Sequence, residues 1–178
     1  VRQDGKLTPA SPESLEGAQA FFAAVRAHHE AAHAVVALAL GATVDRITLD
    51  ADEAGSLGAP PRALGGVVFQ PRDDETVYAK IRAAGLVQEA CFGAPGVKAE
   101  GPGLWTSVCQ NTPHDAAPIY ALPVEARVPA LEDVSRILAE RQDAVNRLAS
   151  ELKRKTTVSG AEVHAVLDVV VEHVVDVE

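Results

Sequence analysis

The sequence predicts a mainly α-helical domain with a small β-sheet. Hydrophobic residues make up 47% of the chain and aromatic residues only 4%, so the core must be built from Val, Leu, Ile and Ala. Of these, Ala and Leu favour long helices. Apolar residues recur at helical spacing over most of the chain, and only two short segments resemble strands. A length of 178 residues suits one domain of ordinary size.

The first half of the chain begins with a polar lead-in, residues 1–15, which we expect to be flexible. A long helix is expected over residues 18–40, and Gly41 is typical of a helix C-terminus. Strands are expected at residues 44–49 and 64–70, with a loop rich in Gly, Pro and acidic residues between them.

The next segment predicts a helix over residues 74–92, followed by an irregular stretch over residues 94–113. An irregular stretch of that length in a compact domain is more often functional than idle. A short helix is expected near Asp115. Pro118 would then lie in its first turn, where a missing backbone N–H is tolerated.

The last part of the chain predicts a long helix over residues 130–155, with an apolar stripe that Arg141 interrupts. Ser159 and Glu162 have the spacing of a capping box and predict the start of a final helix. Residues 16–178 are therefore interpreted as a single domain.

Charge and cysteine content exclude several classes of function. The net charge of -9 argues against nucleic acid as a partner, because binding to phosphates requires basic residues. No apolar run approaches the roughly 20 residues that span a bilayer, so no membrane segment is expected. Cys91 and Cys109 are too few for a four-cysteine zinc site. We expect both to be reduced thiols in a cytoplasmic protein.

The strongest motif is an HExxH sequence within the first predicted helix. His29 and His33 are four residues apart, which places both imidazoles on one face of a helix. Two neutral imidazoles leave room on Zn²⁺ for a third ligand and a water molecule. Glu30 follows the first histidine directly, so its carboxylate could act as the general base toward that water. His28 points elsewhere on the helix and is interpreted as a surface or supporting residue.

A third ligand must come from outside this helix. Its spacing from the motif does not choose between four candidates, which are Glu89, Cys109, His114 and Asp115.

The order of these segments resembles the FtsH-type peptidase domain. Residues 29–41 are similar to the zinc helix of that family, and residues 64–71 to its edge strand. Residues 83–93 resemble the helix that ends in a Phe-Gly pair, and residues 138–167 resemble the C-terminal helical pair. The resemblance covers about residues 20–170 and implies a helical, zincin-like metallopeptidase domain with an edge strand beside the HExxH helix.

The resemblance also implies roles for individual residues. The third zinc ligand of the family is an aspartate, which falls here on Asp115, and Glu89 would orient a histidine from behind. The alternatives are an ordinary helix N-cap for Asp115 and an exposed helix residue for Glu89. The edge strand implies main-chain pairing with substrate at four residues, Gly66, Val67, Val68 and Phe69. The chain departs from the family in having Ala32 where glycine is usual.

The function expected from motif and resemblance is zinc-dependent hydrolysis of peptide bonds in unfolded or flexible polypeptides. The sequence contains no GxxxxGK[ST] motif, so we expect unfolding of stable substrates to depend on a separate ATPase partner. A homo-oligomer is the other assembly that we expect. One alternative is a non-catalytic, zinc-stabilised interaction module that docks a partner helix on the stripe from Leu131 to Leu152. That stripe could equally pack within the molecule. A further alternative is amide hydrolysis of a small molecule in a closed pocket.

Overall fold

The computed structural model describes residues 2–3, 6–7, 12–56, 65–70, 73–93 and 112–168. Helices dominate these residues, and strands are few and short, which confirms the predicted fold class. In chain order the elements are β1 (Arg2–Gln3), β2 (Lys6–Leu7), α1 (Pro12–Ala39), β3 (Thr43–Thr48), α2 (Ala51–Ser56), β4 (Gly66–Gln70), α3 (Glu75–Val87) with a π-helical extension (Gln88–Phe92), α4 (Pro113–Ala121), α5 (Val124–Glu140), α6 (Gln142–Lys155), β5 (Thr157–Ser159) and α7 (Gly160–Asp168).

Helix α1 forms the centre of the domain. It begins at Pro12, six residues before the expected start, because proline is well tolerated in the first turn of a helix. It ends at Ala39, and Gly41 follows with a φ of 79°, as predicted for a stop at glycine. Its second half is enclosed by α3, α6, β3 and β4, with Ala31 and Val35 fully or almost fully buried.

The sheet of the domain has three antiparallel strands in the order β4-β3-β5. Thr48 pairs with Gly66, and Val44 pairs with Phe69. Within the described residues β4 is therefore an edge strand, and it lies against α1 as expected. Strand β5 was not predicted, because three residues are too few to show an alternating pattern. The separate β1–β2 pair joins Arg2–Gln3 to Lys6–Leu7 within the predicted lead-in.

Three predictions about helices were wrong in detail. The predicted loop after β3 contains the short helix α2, whose first turn is closed by backbone N–H groups that donate to Asp50. The predicted helix over 130–155 is two helices, α5 and α6, divided at Arg141, whose backbone (φ −123°, ψ 21°) is not helical. Helix α4 begins at Pro113, so Pro118 lies in its second turn. Burial of Asp115 and its neighbours holds that helix in place.

The apolar stripe of α5 and α6 packs inside the domain. Its buried members are Val134, Leu138, Val145, Leu148 and Leu152. They belong to the same core as α1 and the sheet. The intramolecular alternative for this stripe is therefore the observed one, and the stripe offers no open face to a partner helix.

The capping box at the start of α7 has the predicted reciprocal bonds. The backbone N–H of Ser159 donates to the Glu162 carboxylate at 2.9 Å, and the Glu162 N–H points back to the Ser159 hydroxyl at 3.4 Å. No helix in the described part of the chain combines the length and the hydropathy that crossing a membrane requires.

Candidate metal centre

Two helices bring three metal-ligating side chains together in the interior. His29 and His33 come from α1 and Asp115 comes from the first turn of α4. One ligand atom from each lies within 4.8 Å of the other two, and the three residues are only 6%, 3% and 2% exposed. The structure thus brings the HExxH histidines close to the candidate that lies 86 positions after the first of them.

The tautomer of His33 follows from its hydrogen bond. Its Nδ1 lies 2.6 Å from the backbone carbonyl oxygen of Ile81. A carbonyl oxygen only accepts, so Nδ1 must carry the proton. Nε2 then keeps its lone pair and lies 3.8 Å from an oxygen of Asp115. Burial also lowers the pKa of His33 to about 3, which keeps this imidazole neutral and able to bind a metal ion.

His29 is held between two carboxylates. Its Nδ1 lies 2.6 Å from Oε1 of Glu89, and its Nε2 lies 3.1 Å from Oδ2 of Asp115. Burial alone would lower the pKa of His29, but the hydrogen bonds to Asp115 and Glu89 outweigh it and raise that pKa to about 10. His29 therefore carries a proton on Nε2, the nitrogen that faces Asp115. A cation bound between these two residues would displace that proton.

A π-helical turn positions Glu89. Helix α3 continues from Val87 into this turn at Gln88, and the Gly93 N–H donates to the Gln88 carbonyl oxygen at 2.7 Å. The Gln88 side-chain amide in turn donates to the carbonyl oxygen of Gly93 at 2.9 Å. Single π turns of this kind occur frequently at functional sites. Here the turn carries the Glu89 carboxylate to the back of His29, as the predicted orienting role requires.

Asp115 is surrounded by positive and polar groups. Burial would raise its pKa, but the hydrogen bond from His29 and the charge of Arg82 hold the pKa of Asp115 well below its usual value. Oδ1 lies 2.5 Å from Nη2 of Arg82, yet this buried oxygen accepts no hydrogen bond of good geometry. This oxygen is balanced by the ion pair with Arg82 but by no well-aligned hydrogen bond, which is rare for a buried polar atom. The carboxylate lies beside two imidazoles whose Nδ1 atoms are engaged, and the three groups fit a site for a cation such as Zn²⁺.

Glu30 lies at the same site, and its carboxyl group makes no polar contact that would stabilise the described part of the fold. Its side chain is half-buried, and it forms no hydrogen bond or ion pair with any residue that the structure describes. Burial, assisted by the charge of Asp115, raises the pKa of Glu30 to about 7. A carboxyl group with a pKa in that range can both accept and release a proton at neutral pH.

Two glycines make room for the site, and the motif did not reveal either of them. Gly85 of α3 lies directly against the imidazole of His29, so a side chain at this position would collide with the ring. A Cβ atom on Gly65 would lie 2.8 Å from Oε1 of Glu30. An isolated glycine inside a helical pattern often marks close packing, which is the one signal that could have identified Gly85. Nothing local in the sequence indicated the roles of Ile81 and Arg82.

The remaining candidates have different positions. Glu89 contacts the far nitrogen of His29 rather than joining the cluster, and Cys109 lies outside the described residues. Nε2 of His114 lies 3.5 Å from Oδ2 of Asp115, at the rim of the cluster, and its side chain is 33% exposed. The interpretation of His28 was wrong, because this residue is 2% exposed and its Nδ1 bonds the carbonyl oxygen of Ala24 instead of supporting the site.

The predicted substrate strand is β4. Gly66, Val67 and Val68 are half-buried, while Phe69 is 2% exposed and packs its ring against Tyr78 at a centroid distance of 5.9 Å. Side-chain recognition at Phe69 is therefore excluded by its burial. Any pairing with a substrate along this strand has to use main-chain groups.

No protein-family model matches the chain, and no curated protein matches it in sequence. The buried cluster and the sequence around it are therefore the ground on which a function can be proposed.

Proposed function

We propose that this protein is a zinc-dependent endopeptidase of the FtsH type that hydrolyses peptide bonds in unfolded or flexible polypeptides. One observation carries the proposal. Glu30, with no partner among the described residues, stands beside a buried cluster of two imidazoles and one carboxylate. A site that only stabilised the fold would have no use for such a carboxylate.

His29, His33 and Asp115 would hold the zinc ion. Two nitrogens and one oxygen are a ligand set that zinc accepts, and three protein ligands leave a fourth position open, as in catalytic zinc sites. When bound, zinc would polarise the scissile carbonyl group and lower the pKa of a water molecule to about 7.

Glu30 would supply the acid–base chemistry. Its carboxylate takes a proton from the attacking water and delivers it to the leaving amine, which requires a pKa near the working pH. Half-burial provides that pKa, as described above. Glu89 accepts the hydrogen bond of Nδ1–H of His29, which would leave Nε2 of that ring to bind the ion.

The substrate would lie extended beside β4 and pair with its main chain. The 178 residues contain no nucleotide-binding P-loop, so the proposed substrates are chains that already lack stable structure. A separate ATPase would be needed to extend the activity to folded proteins, and a homo-oligomeric assembly belongs to the same proposal. The proposal does not call for nucleic acid, and a cytoplasmic location belongs to the same proposal.

The test compares the zinc-loaded protein with its Glu30→Gln variant. We expect the variant to retain one zinc ion per chain, measured by elemental analysis, and to lose cleavage of a reduced, unfolded protein followed by mass spectrometry. Glu16→Gln provides a matched control, because Glu16 is an exposed residue of the same helix. Full cleavage by Glu30→Gln would contradict the proposal, as would a wild-type protein that binds no zinc.

The second candidate function is a non-catalytic, zinc-stabilised interaction module. It would require zinc binding without any cleavage of unfolded protein or of a peptide library. Burial of the α5–α6 stripe removes the surface on which that alternative placed its partner. The endopeptidase is therefore the better supported of the two.

A further inference from the structure

An exposed aromatic pair lies on α1, on the N-terminal side of the candidate metal centre. Phe22 is 63% exposed and Phe21 is 45% exposed, and their rings meet edge to face at a centroid distance of 5.4 Å. A contiguous exposed apolar patch, unlike a single exposed residue, can mark a binding site. Both lie in the part of the helix that precedes its buried segment.

Helical geometry places Phe22 in line with the two histidines. At roughly 100° per residue, Phe22 lies about 20° around the helix axis from His29, between the directions of His29 and His33. The axial distance from His29 is about 10 Å, for a rise of about 1.5 Å per residue. Arg26 lies between them on the same face, and its guanidinium donates to the carbonyl oxygen of Leu49 at 2.6 Å.

The strands show on which side of Glu30 this aromatic pair lies. Strand β3 follows the C-terminal end of α1 and reaches Arg26 at Leu49, so it runs back along the helix. Strand β4 is antiparallel to β3, so it runs in the same direction as α1. It starts beside Gly65, which lies against Glu30, and leads toward the C-terminal end of the helix. Phe22 lies on the other side of Glu30, toward the N-terminal end of α1. A chain extended along β4 and past Glu30 would next pass Phe22.

We propose that Phe22, with Phe21 at its side, binds an apolar side chain of the substrate about three residues beyond the cleaved bond. This inference rests on the proposed endopeptidase function. The separation of about 10 Å corresponds to about three residues of extended chain at about 3.3 Å each. All strand pairs among the described residues are antiparallel, so a substrate strand added in the same way runs toward Gly66. It reaches Phe22 with the residues C-terminal to the cleaved bond.

The surface suits an aromatic or large aliphatic side chain. An edge-to-face ring pair offers a broad apolar surface, and such contacts contribute beyond the area that they bury. Because Phe22 is exposed and forms no part of the described core cluster, we expect the fold to tolerate its removal. Its effect is therefore expected only in the choice of substrate.

The test profiles cleavage of a peptide library by the zinc-loaded wild type and by Phe22→Ser. We expect the wild type to prefer Phe, Leu or Ile at the third position after the cleaved bond, and the variant to lose about tenfold in kcat/KM for those peptides while peptides with Ser there are cleaved equally by both. Val128→Ser is the matched control, since Val128 is 61% exposed on a different helix.

A binding measurement separates this inference from the proposed function. Glu30→Gln and the double variant Glu30→Gln/Phe22→Ser are each titrated with two fluorescent peptides, one that carries Phe and one that carries Ser at that position. The inference is supported if the double variant binds the Phe peptide about tenfold more weakly than Glu30→Gln does and binds the Ser peptide equally well. If Phe22→Ser cleaves with the same specificity as the wild type and the Phe peptide is bound with unchanged affinity, the inference is wrong although the proposed function stands. A wild type that cleaves nothing would overturn the proposed endopeptidase function.

Discussion

His29 and Glu89 are separated by 60 positions in the sequence, yet Nδ1 of the histidine lies 2.6 Å from Oε1 of the glutamate. A carboxylate at this distance accepts from Nδ1–H, so Nδ1 keeps its proton and Nε2 is the nitrogen that can be freed to face a metal ion. The same histidine then presents Nε2 to Asp115. Glu89 lies outside the cluster of His29, His33 and Asp115, yet its contact determines which nitrogen of His29 faces that cluster.

Glu89→Ala should therefore weaken zinc binding without removing a ligand. Loss of such an orienting carboxylate typically costs about 10- to 100-fold in metal affinity. Competition with a chromophoric chelator measures the affinity directly. Glu89→Gln, which keeps an acceptor oxygen, should recover part of the loss, and Glu140→Ala should have no effect because Glu140 is 58% exposed and far along α5. Equal affinities for wild type and Glu89→Ala would exclude the orienting role.

The sequence predicted the part of the site that is local and left open the part that is not. His29 and His33 share a helix, so their spacing alone placed them on one face. Asp115 lies 86 positions from His29, and no periodicity connects the two. Four candidates for the third ligand therefore remained until a resemblance favoured one.

The same distinction holds for the fold. Long amphipathic helices and glycine stops such as Gly41 were predicted because their signals repeat within a single element. The break at Arg141 was not, because a charged residue in an apolar stripe does not by itself end a helix. Strand β5 was not either, since it has only three residues and is defined by its pairing with β3, far away in the sequence. The contacts of Arg82 and Ile81 with the site belong to the same class, because they depend on how α3 crosses α1.

Gly85→Ala should disrupt the site from the neighbouring helix. The added methyl group would collide with the imidazole of His29, so the ring or α3 has to move. We expect a loss of about 1–3 kcal/mol in the free energy of unfolding, measured by urea denaturation, together with weaker zinc binding.

Gly17→Ala is the matched substitution in an open position of α1, where nothing lies within 4 Å of the added atom. It should stabilise the protein by about 0.5–1 kcal/mol, because alanine is the better helix former. Opposite signs for these two glycine substitutions are the expected result. A neutral Gly85→Ala with intact zinc affinity would show that His29 has room to shift.

The affinity for zinc should rise with pH. The pKa of His29 is raised above its ordinary value to about 10, so in the metal-free fold its proton competes with the ion throughout the neutral range. The proton on His29 competes fully with zinc at any pH below the raised pKa, and this competition disappears as the pH rises through that pKa. One displaced proton corresponds to about tenfold in affinity per pH unit, because ligand atoms must be deprotonated to bind.

Calorimetry at pH 7 in two buffers with different ionisation enthalpies measures the protons released. We expect about one proton per zinc ion from His29, and none from His33, whose pKa is lowered to about 3 by burial. Zinc binding that releases no proton would mean that His29 is already neutral in the metal-free protein.

Arg82→Gln should destabilise the metal-free protein more than the zinc-bound one. Arg82 Nη2 lies 2.5 Å from the buried Oδ1 of Asp115, and its removal leaves that carboxylate with fewer compensating charges. We expect a loss of about 1–3 kcal/mol in the metal-free free energy of unfolding, as is typical for a buried group that loses its partner. A bound dication supplies the missing positive charge, so the loss should shrink when zinc is present.

Arg46→Gln is the matched control for that comparison. Arg46 also pairs with a carboxylate, that of Glu53 at 2.7 Å, but its side chain is 47% exposed. Exposed pairs contribute at most about 1 kcal/mol, and zinc should not change the effect. Denaturation of both variants with and without zinc therefore gives four values. If Arg82→Gln loses the same free energy in both states, the arginine acts through packing alone, and the electrostatic link to the metal centre is wrong.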